Sequence, residues 1–286
     1  MALEEKTLVI DGLTVNYLED GHDNGRTILL IHGGMGDARL HWGAVMPLLA
    51  QEDFRVLAPD LPGFGKSQLL PVMRMDALLH WLKSFLDTLG LEQAVVIGNS
   101  LGGLVARLLT AANPQLVPAV VLLDGGGIPE IPPVLRVLER IPVLSNFLLG
   151  QFVGSMTSPA NLRKIIHVKD VLTDDFMTGT RAANKSFARL MRMLVAGTLP
   201  EARNPIVPTL VLWGADDTFT PLADGTAVKD SIPGATLTEI TDCGHMPQLE
   251  TPDVFVWQIS NFLQKLSRPQ RSNLPGAGIL PDTPSG

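Results

Sequence analysis

Short apolar runs recur along the chain and each stops abruptly at glycine, aspartate or proline. "TILLIHGG", "RVLAPDLPG", "AVVIGNS", "AVVLLDGGG" and "TLVLWGADD" share this form. Near-continuous apolar runs of this length predict strands buried on both faces, as in a parallel sheet. Between several of them lie patterns of helical period, such as "HWGAVMPLLAQ" and "DALLHWLKSFLDTLG". Before them, "KTLVIDGLTVNYLED" predicts two strands around the turn Asp11-Gly12. The alternation predicts a doubly wound, mostly parallel α/β sheet after an antiparallel opening. In such sheets ligands bind beyond the carboxyl ends of the strands, where each of these runs carries its glycine and polar residues.

From Gly127 to about Arg203 the alternation stops. Helical periodicity continues, prolines are frequent, and no strand is evident over roughly 75 residues. This predicts a helical cap (127–201) inserted into a core formed by 1–126 and 202–267. The tail 268–286, rich in proline and glycine, is expected to be disordered.

Composition then narrows the class. Hydrophobic residues make up 45% and charged residues 18%, which fits a compact chain rather than a disordered one. A net charge of −7 without a basic cluster argues against a nucleic-acid partner. The single cysteine, Cys243, excludes an internal disulfide framework and a multi-cysteine metal site. The start "MALEEKTLVIDG" lacks a signal-peptide core, and no apolar run reaches membrane-spanning length. A cytoplasmic enzyme, monomer or homodimer, without stable membrane insertion and without metal or cofactor is the expectation.

Candidate chemistry centres on "VVIGNSLGGLVARLL". A strand over Ala94–Ile97 gives way almost at once to a helix carrying Leu101, Leu104, Val105 and Leu108, with Ser100 at the corner. A helix-capping serine in a tight glycine turn accounts for that pattern. The sharper reading is a nucleophile elbow, a strained turn that presents the serine hydroxyl. It requires a base, an acid and an oxyanion hole elsewhere in the chain. A serine hydroxyl needs a base, and the base an orienting acid. His245, in the loop after the apparent strand "ATLTEIT", lies at the same sheet edge. His41 and His80 fall on helical patterns and read as structural; His22 and His167 read as surface residues. Asp124, Asp216 and Asp217 each follow a strand and each could supply the acid. Backbone N–H groups of Leu101 and of the loop "HGGMG", His32 to Gly36, could form an oxyanion hole.

"LLIHGGMG", "APDLPGFGKS", "VIGNSLGG", "VLWGADDTFTP" and "DCGHMPQLETPDVF" together resemble the successive signatures of the α/β-hydrolase fold superfamily, from Leu3 to about Leu266. The resemblance implies Ser100 as nucleophile, His245 as base and Asp217 as acid, because Asp217 stands in a Trp-Gly-x-x-Asp pattern four residues before Pro221. Asp124 is the rival position. Gly34 and Leu101 become the oxyanion donors, with Met35, Asn99, Arg181 and Met246 as substrate contacts. Asp60 and Ser67 are expected to shape their loop. A serine nucleophile excludes the dehalogenase and epoxide-hydrolase branches. Asn99, the double glycine and "LTDDFMTGTRAAN" are similar to carbon–carbon hydrolases of ring-fission products, in which a cap arginine, here Arg181, binds substrate. Those enzymes carry tryptophan after the catalytic histidine, and this chain has Met246. A carboxylesterase or lipase-like enzyme acting on a small apolar ester is therefore the first reading. Carbon–carbon hydrolysis is the alternative, and a ligand-sensing protein on the same fold is a third.

Overall fold

The computed structural model describes residues 3–23, 25–132, 141–197, 199–201 and 203–267, so the tail lies outside it. Eight strands form one sheet: β1 (Glu4–Ile10), β2 (Leu13–Asp20), β3 (Arg26–Ile31), β4 (Phe54–Pro59), β5 (Val95–Asn99), β6 (Val120–Leu123), β7 (Thr209–Gly214) and β8 (Thr236–Ile240). Their order is β1-β2-β4-β3-β5-β6-β7-β8. β1 pairs antiparallel with β2, and β2 antiparallel with β4; the other pairings are parallel. The opening hairpin pairs Ile10 with Leu13 across Asp11 and Gly12, both at positive φ (50° and 80°). Two positive-φ residues match the twist of the flanking strands.

Period-2 alternation inside the parallel strands divides the core between two faces. Leu29, Ile31, Val96, Leu122 and Val211 pack in one apolar layer with helices α3 (Met75–Thr88) and α4 (Leu101–Ala112). Ile28, Leu30, Val95, Ile97, Val121 and Leu212 pack on the other. That second layer includes Ala38 and Trp42 of α1 (Ala38–Trp42), and Met46 and Leu49 of α2 (Met46–Gln51). The run "HWGAVMPLLAQ", which reads as one helical pattern, is thus two short helices separated at Gly43. The second begins with a proline in its first turn, the place where a missing N–H is tolerated.

Between β6 and β7 the described residues hold helices α5 (Pro142–Met156), α6 (Pro159–Ile165) and α7 (Asp174–Ala196), a 3-10 turn over Lys169–Val171, and no strand. Thr173 caps α7 by accepting from the Phe176 N–H, with Asp174 and Asp175 in the first turn, where carboxylates complement the helix dipole. After β7 come α8 (Leu222–Asp230) and, beyond the loop that follows β8, α9 (Pro247–Glu250) and α10 (Pro252–Ser267); Phe255, Val256, Ile259 and Leu263 of α10 close the second layer.

At the crossing of β5 and α4 only a glycine fits. A Cβ on Gly98 would stand 2.1 Å from the Gly102 carbonyl oxygen, and that obstacle is backbone. Gly98→Ala is therefore expected to destabilise by about 3 kcal/mol or more, the upper range for overpacking a core. Urea unfolding measures it; a loss below about 1 kcal/mol would show that the turn can shift.

Candidate active site

Ser100 sits between β5 and α4 at φ 57°, ψ −121°, a conformation that L side chains rarely adopt and that costs on the order of 1–3 kcal/mol. The surrounding backbone holds it there: the Ser100 N–H donates to Leu123 O (2.9 Å), and the Ser100 carbonyl accepts from Gly103 N (2.9 Å). The "HGGMG" loop after β3 lies directly alongside, since a Cβ on Gly33 would be 3.1 Å from Ser100 Cβ. Neutral His32 braces that loop from inside. Its Nδ1–H donates to Gly33 O (2.7 Å) and its Nε2 accepts from Leu61 N (2.9 Å). Burial lowers its pKa, which keeps this donor–acceptor tautomer. His41, also fully buried, is held well below the ordinary imidazole range, first by burial. Both are parts of the scaffold.

His245 and Asp217 meet at 2.7 Å, Nδ1 to Oδ2, with both side chains essentially excluded from solvent. Asp217 is the acid of the pair; Asp216 is half-exposed and lies 3.9 Å from His167. Burial by itself would raise the Asp217 pKa. The charge of His245 and hydrogen bonds from His245 and Thr220 outweigh it, and the net shift is downward. The other oxygen, Oδ1, accepts from Phe219 N (2.8 Å) and Thr220 N (3.0 Å). His245 Nε2 is buried with no hydrogen-bond partner among the described residues. With Nδ1 engaged by a carboxylate, Nε2 is the nitrogen left to exchange a proton.

Three supports of this pair have no motif of their own in the sequence. Thr220 Oγ1 donates to Asp217 Oδ2 (2.5 Å) and lies 3.1 Å from His245 Nδ1. Phe219 packs edge-on to the imidazole, with ring centroids 5.0 Å apart. Glu250 gathers four backbone N–H groups, those of Gly244, Met246, His167 and Val168, at 2.7–3.0 Å. One buried carboxylate thus ties the histidine loop to the chain that follows α6.

Asp124, the rival acid, is fully buried at φ 43°. Burial, then the neighbouring Asp217, pushes its carboxyl well above the usual range, favouring the neutral acid. Its Oδ1 accepts from Gly214 N (2.8 Å), so it joins β6 to β7. One ligand atom each from Asp124, Asp217 and His245 lies within 4.8 Å of the others. His245 Nδ1 and both Asp217 oxygens are already spent on the contacts above.

Leu101 opens α4 directly after Ser100, and Gly34 follows Gly33, whose loop lies alongside Ser100. Neither N–H donates to a protein acceptor among the described residues. Gly34 needs to be glycine because Phe187 of α7 covers it; a Cβ would stand 2.2 Å from the ring. α7 is anchored to the same loops. Thr180 Oγ1 donates to Met35 O (3.0 Å) and Ser186 Oγ to Gly63 O.

The four expected substrate contacts fall elsewhere. Asn99 is fully buried, and its amide donates to the carbonyls of Leu123 and His245 (3.2 Å each) while accepting from Gln248 Nε2 (3.3 Å). It fastens the histidine loop to β5. Met35 and Met246 belong to the apolar core. Arg181 is exposed, because the buried side of α7 runs through Thr180, Ala183, Phe187, Leu190 and Leu194, about 100° away per residue. The cavity that reaches Ser100 has a volume of about 590 Å³; its wall is mostly apolar, with Leu101, Leu104, Ile128, Phe187, Trp213 and Phe219, and its polar positions are Arg107, Asp124, Thr220, Asp224 and Ser231. None of the four expected contacts lines it.

The profile of the alpha/beta hydrolase family matches residues 28–258. The chain belongs to that family. It is 31% identical over 274 residues to a 2-hydroxy-6-oxononadienedioate/2-hydroxy-6-oxononatrienedioate hydrolase of Paraburkholderia phymatum, covering 88% of this chain and 91% of that one. A hydrolase of the same name from Klebsiella pneumoniae is 29% identical over 271 residues, covering 87% and 91%. Among solved structures, a thermophilic esterase from Thermogutta terrifontis superposes with a TM-score of 0.72 at 24% identity, covering 94% of this chain and 100% of that one. This α/β-hydrolase therefore resembles a solved esterase in fold and 2-hydroxy-6-oxononadienedioate/2-hydroxy-6-oxononatrienedioate hydrolases in sequence. No helix among the described residues is long and apolar enough to cross a membrane.

Proposed function

We propose that this α/β-hydrolase cleaves a carbon–carbon bond beside a ketone, in a dienone of the ring-fission type, through an acyl-serine intermediate. The hydrolase chemistry rests on one observation: a buried 2.7 Å His245–Asp217 pair at the same strand ends as a serine held at positive φ. The substrate class rests on kinship. A 2-hydroxy-6-oxononadienedioate has no ester or amide, so its hydrolysis has to break a bond to the 6-oxo carbon. With the relatives so named, the order of preference reached from sequence reverses, and esters become the second reading.

Ser100 Oγ would attack the ketone carbon as its proton passes to His245 Nε2, while Asp217 stabilises the imidazolium. The oxyanion would be held by the N–H groups of Gly34 and Leu101. Collapse breaks the carbon–carbon bond. The dienol reacts as its 2-oxo tautomer, in which the hydroxyl proton has moved to C5. Cleavage of C5–C6 then leaves the electron pair conjugated with the 2-oxo group as a dienolate, and the proton held by His245 passes to the dienolate oxygen. Water, deprotonated by His245, then releases the acyl group from Ser100. An ester would follow the same steps with an alkoxide as leaving group. The apolar cavity wall and the outward Arg181 favour that second reading and, for either substrate, an apolar group beyond the carbonyl.

Side-by-side assays separate the two. A 2-hydroxy-6-oxo-dienoate with an apolar 6-substituent is expected to exceed p-nitrophenyl esters in kcat/KM by about tenfold or more, a difference of about 1.4 kcal/mol in transition-state binding. Arg181→Ala is expected to leave both within about twofold. Esters turned over faster than the dienone would reverse the assignment.

A further inference from the structure

We propose that the outer face of the helical insertion, α5 with the basic side of α7, docks onto an anionic lipid surface. The first observation is that α5 holds no charged residue in fifteen. Among its described side chains only Ser145, Val153 and Met156 are buried. Outward it presents Val143, Leu144, Phe147, Leu148 and Phe152, at 39–83% exposure, directly after Ile141 at 54%. Exposed apolar side chains are ordinary when scattered; six within twelve residues form a patch that calls for a partner.

Charge identifies the partner. Residues 127–201 carry nine basic and six acidic side chains, net +3, whereas the remaining sequence carries 13 and 23, net −10. On α7, Arg181, Lys185, Arg189 and Arg192 recur at four, four and three residues and so share one side of the helix. Arg192 Nη1 reaches Asn146 Oδ1 on α5 at 3.0 Å, placing the end of the stripe beside the apolar face. Lys164 lines a hollow together with Phe152 and Met156. A symmetric contact with a second copy through this face would oppose two basic insertions. An anionic bilayer satisfies both features, taking the apolar side chains into its interfacial layer and the basic ones at its headgroups. At fifteen residues and about 1.5 Å each, α5 is too short to span, so it would lie in the plane of the interface.

The orientation also connects to the site. Phe152 and Met156 line the cavity that reaches Ser100, so the docked face is the one beside the cavity mouth, while the acidic body is repelled.

Flotation of the full-length protein with vesicles tests this without reference to turnover. Vesicles of phosphatidylglycerol mixed with phosphatidylcholine are expected to carry the protein at least about tenfold better than phosphatidylcholine alone. Molar salt should largely remove the difference. The variant Val143→Ser/Phe147→Ser/Leu148→Ser and, separately, Lys185→Glu/Arg189→Glu are each expected to lower the bound fraction about tenfold. Val143, Phe147, Leu148 and Lys185 are exposed and Arg189 is partly so, so melting temperatures should stay within a few degrees of the parent. Absence of binding, equal binding to neutral vesicles, or binding unaffected by both variants would overturn the proposal. So would sedimentation showing a dimer that the triple serine variant dissociates, since the patch would then be covered by a second copy.

Discussion

Ser100→Ala is expected to lower kcat by on the order of 10⁵-fold or more and to abolish labelling by a fluorophosphonate, with the fold intact. The fold should survive because the hydroxyl makes no hydrogen bond among the described residues; the turn is held by the Ser100 N–H and C=O. Activity should collapse because nucleophile, base and acid act as a unit, so removing one member costs nearly as much as removing all. His245→Ala is expected to match it within about tenfold. Ser100→Gly adds an internal control. Glycine accepts φ 57° without a Cβ penalty, so this variant should be as inactive as the alanine variant yet more stable than the parent, by about 1 kcal/mol. Labelling that persists in Ser100→Ala, or turnover above a hundredth of the parent, would move the nucleophile elsewhere.

Much of this arrangement is legible in the sequence because it depends on local patterns. The Asp11-Gly12 turn, the apolar parallel strands and the serine between β5 and α4 each follow from residue types within a few positions. Placing Ser100, Asp217 and His245 at one sheet edge needs only the rule that parallel strands point the same way. What escapes is set by tertiary contact. Asn99, next to the serine, reads as a substrate contact, but its amide is consumed by the backbone of His245, 146 residues away. Glu250 looks like an ordinary helix-end acid until its four N–H donors assemble from two separate loops. Arg181 is different, since the signal was present: Thr180, Ala183, Phe187, Leu190 and Leu194 mark the inner side of α7. That period alone puts Arg181 on the outer side of the helix.

The acid can be assigned by a second large effect. Asp217→Asn is expected to lower kcat by about 10⁴-fold at neutral pH, since an amide can hold the imidazole in the wrong tautomer and offers no charge to the imidazolium. Asp216→Asn should cost less than about threefold, because that carboxylate is half-exposed and faces His167. Asp124→Asn distinguishes the roles of the two buried acids. Its carboxyl is pushed above the usual range, so it is disposed to remain neutral, and an amide can still accept from Gly214 N. The variant should fold and keep activity within about tenfold. Stability against pH supplies an independent reading. The folded-state pKa of Asp217 is depressed, so its contribution is full above the ordinary carboxylate range and is lost as pH falls through the lowered value. Asp217→Asn should therefore flatten the acid limb of the stability profile as well as removing turnover, whereas Asp124→Asn, with its pKa displaced the other way, should not flatten that limb. Equal losses of turnover in the Asp217 and Asp124 variants would mean that the two carboxyls share the role of orienting His245.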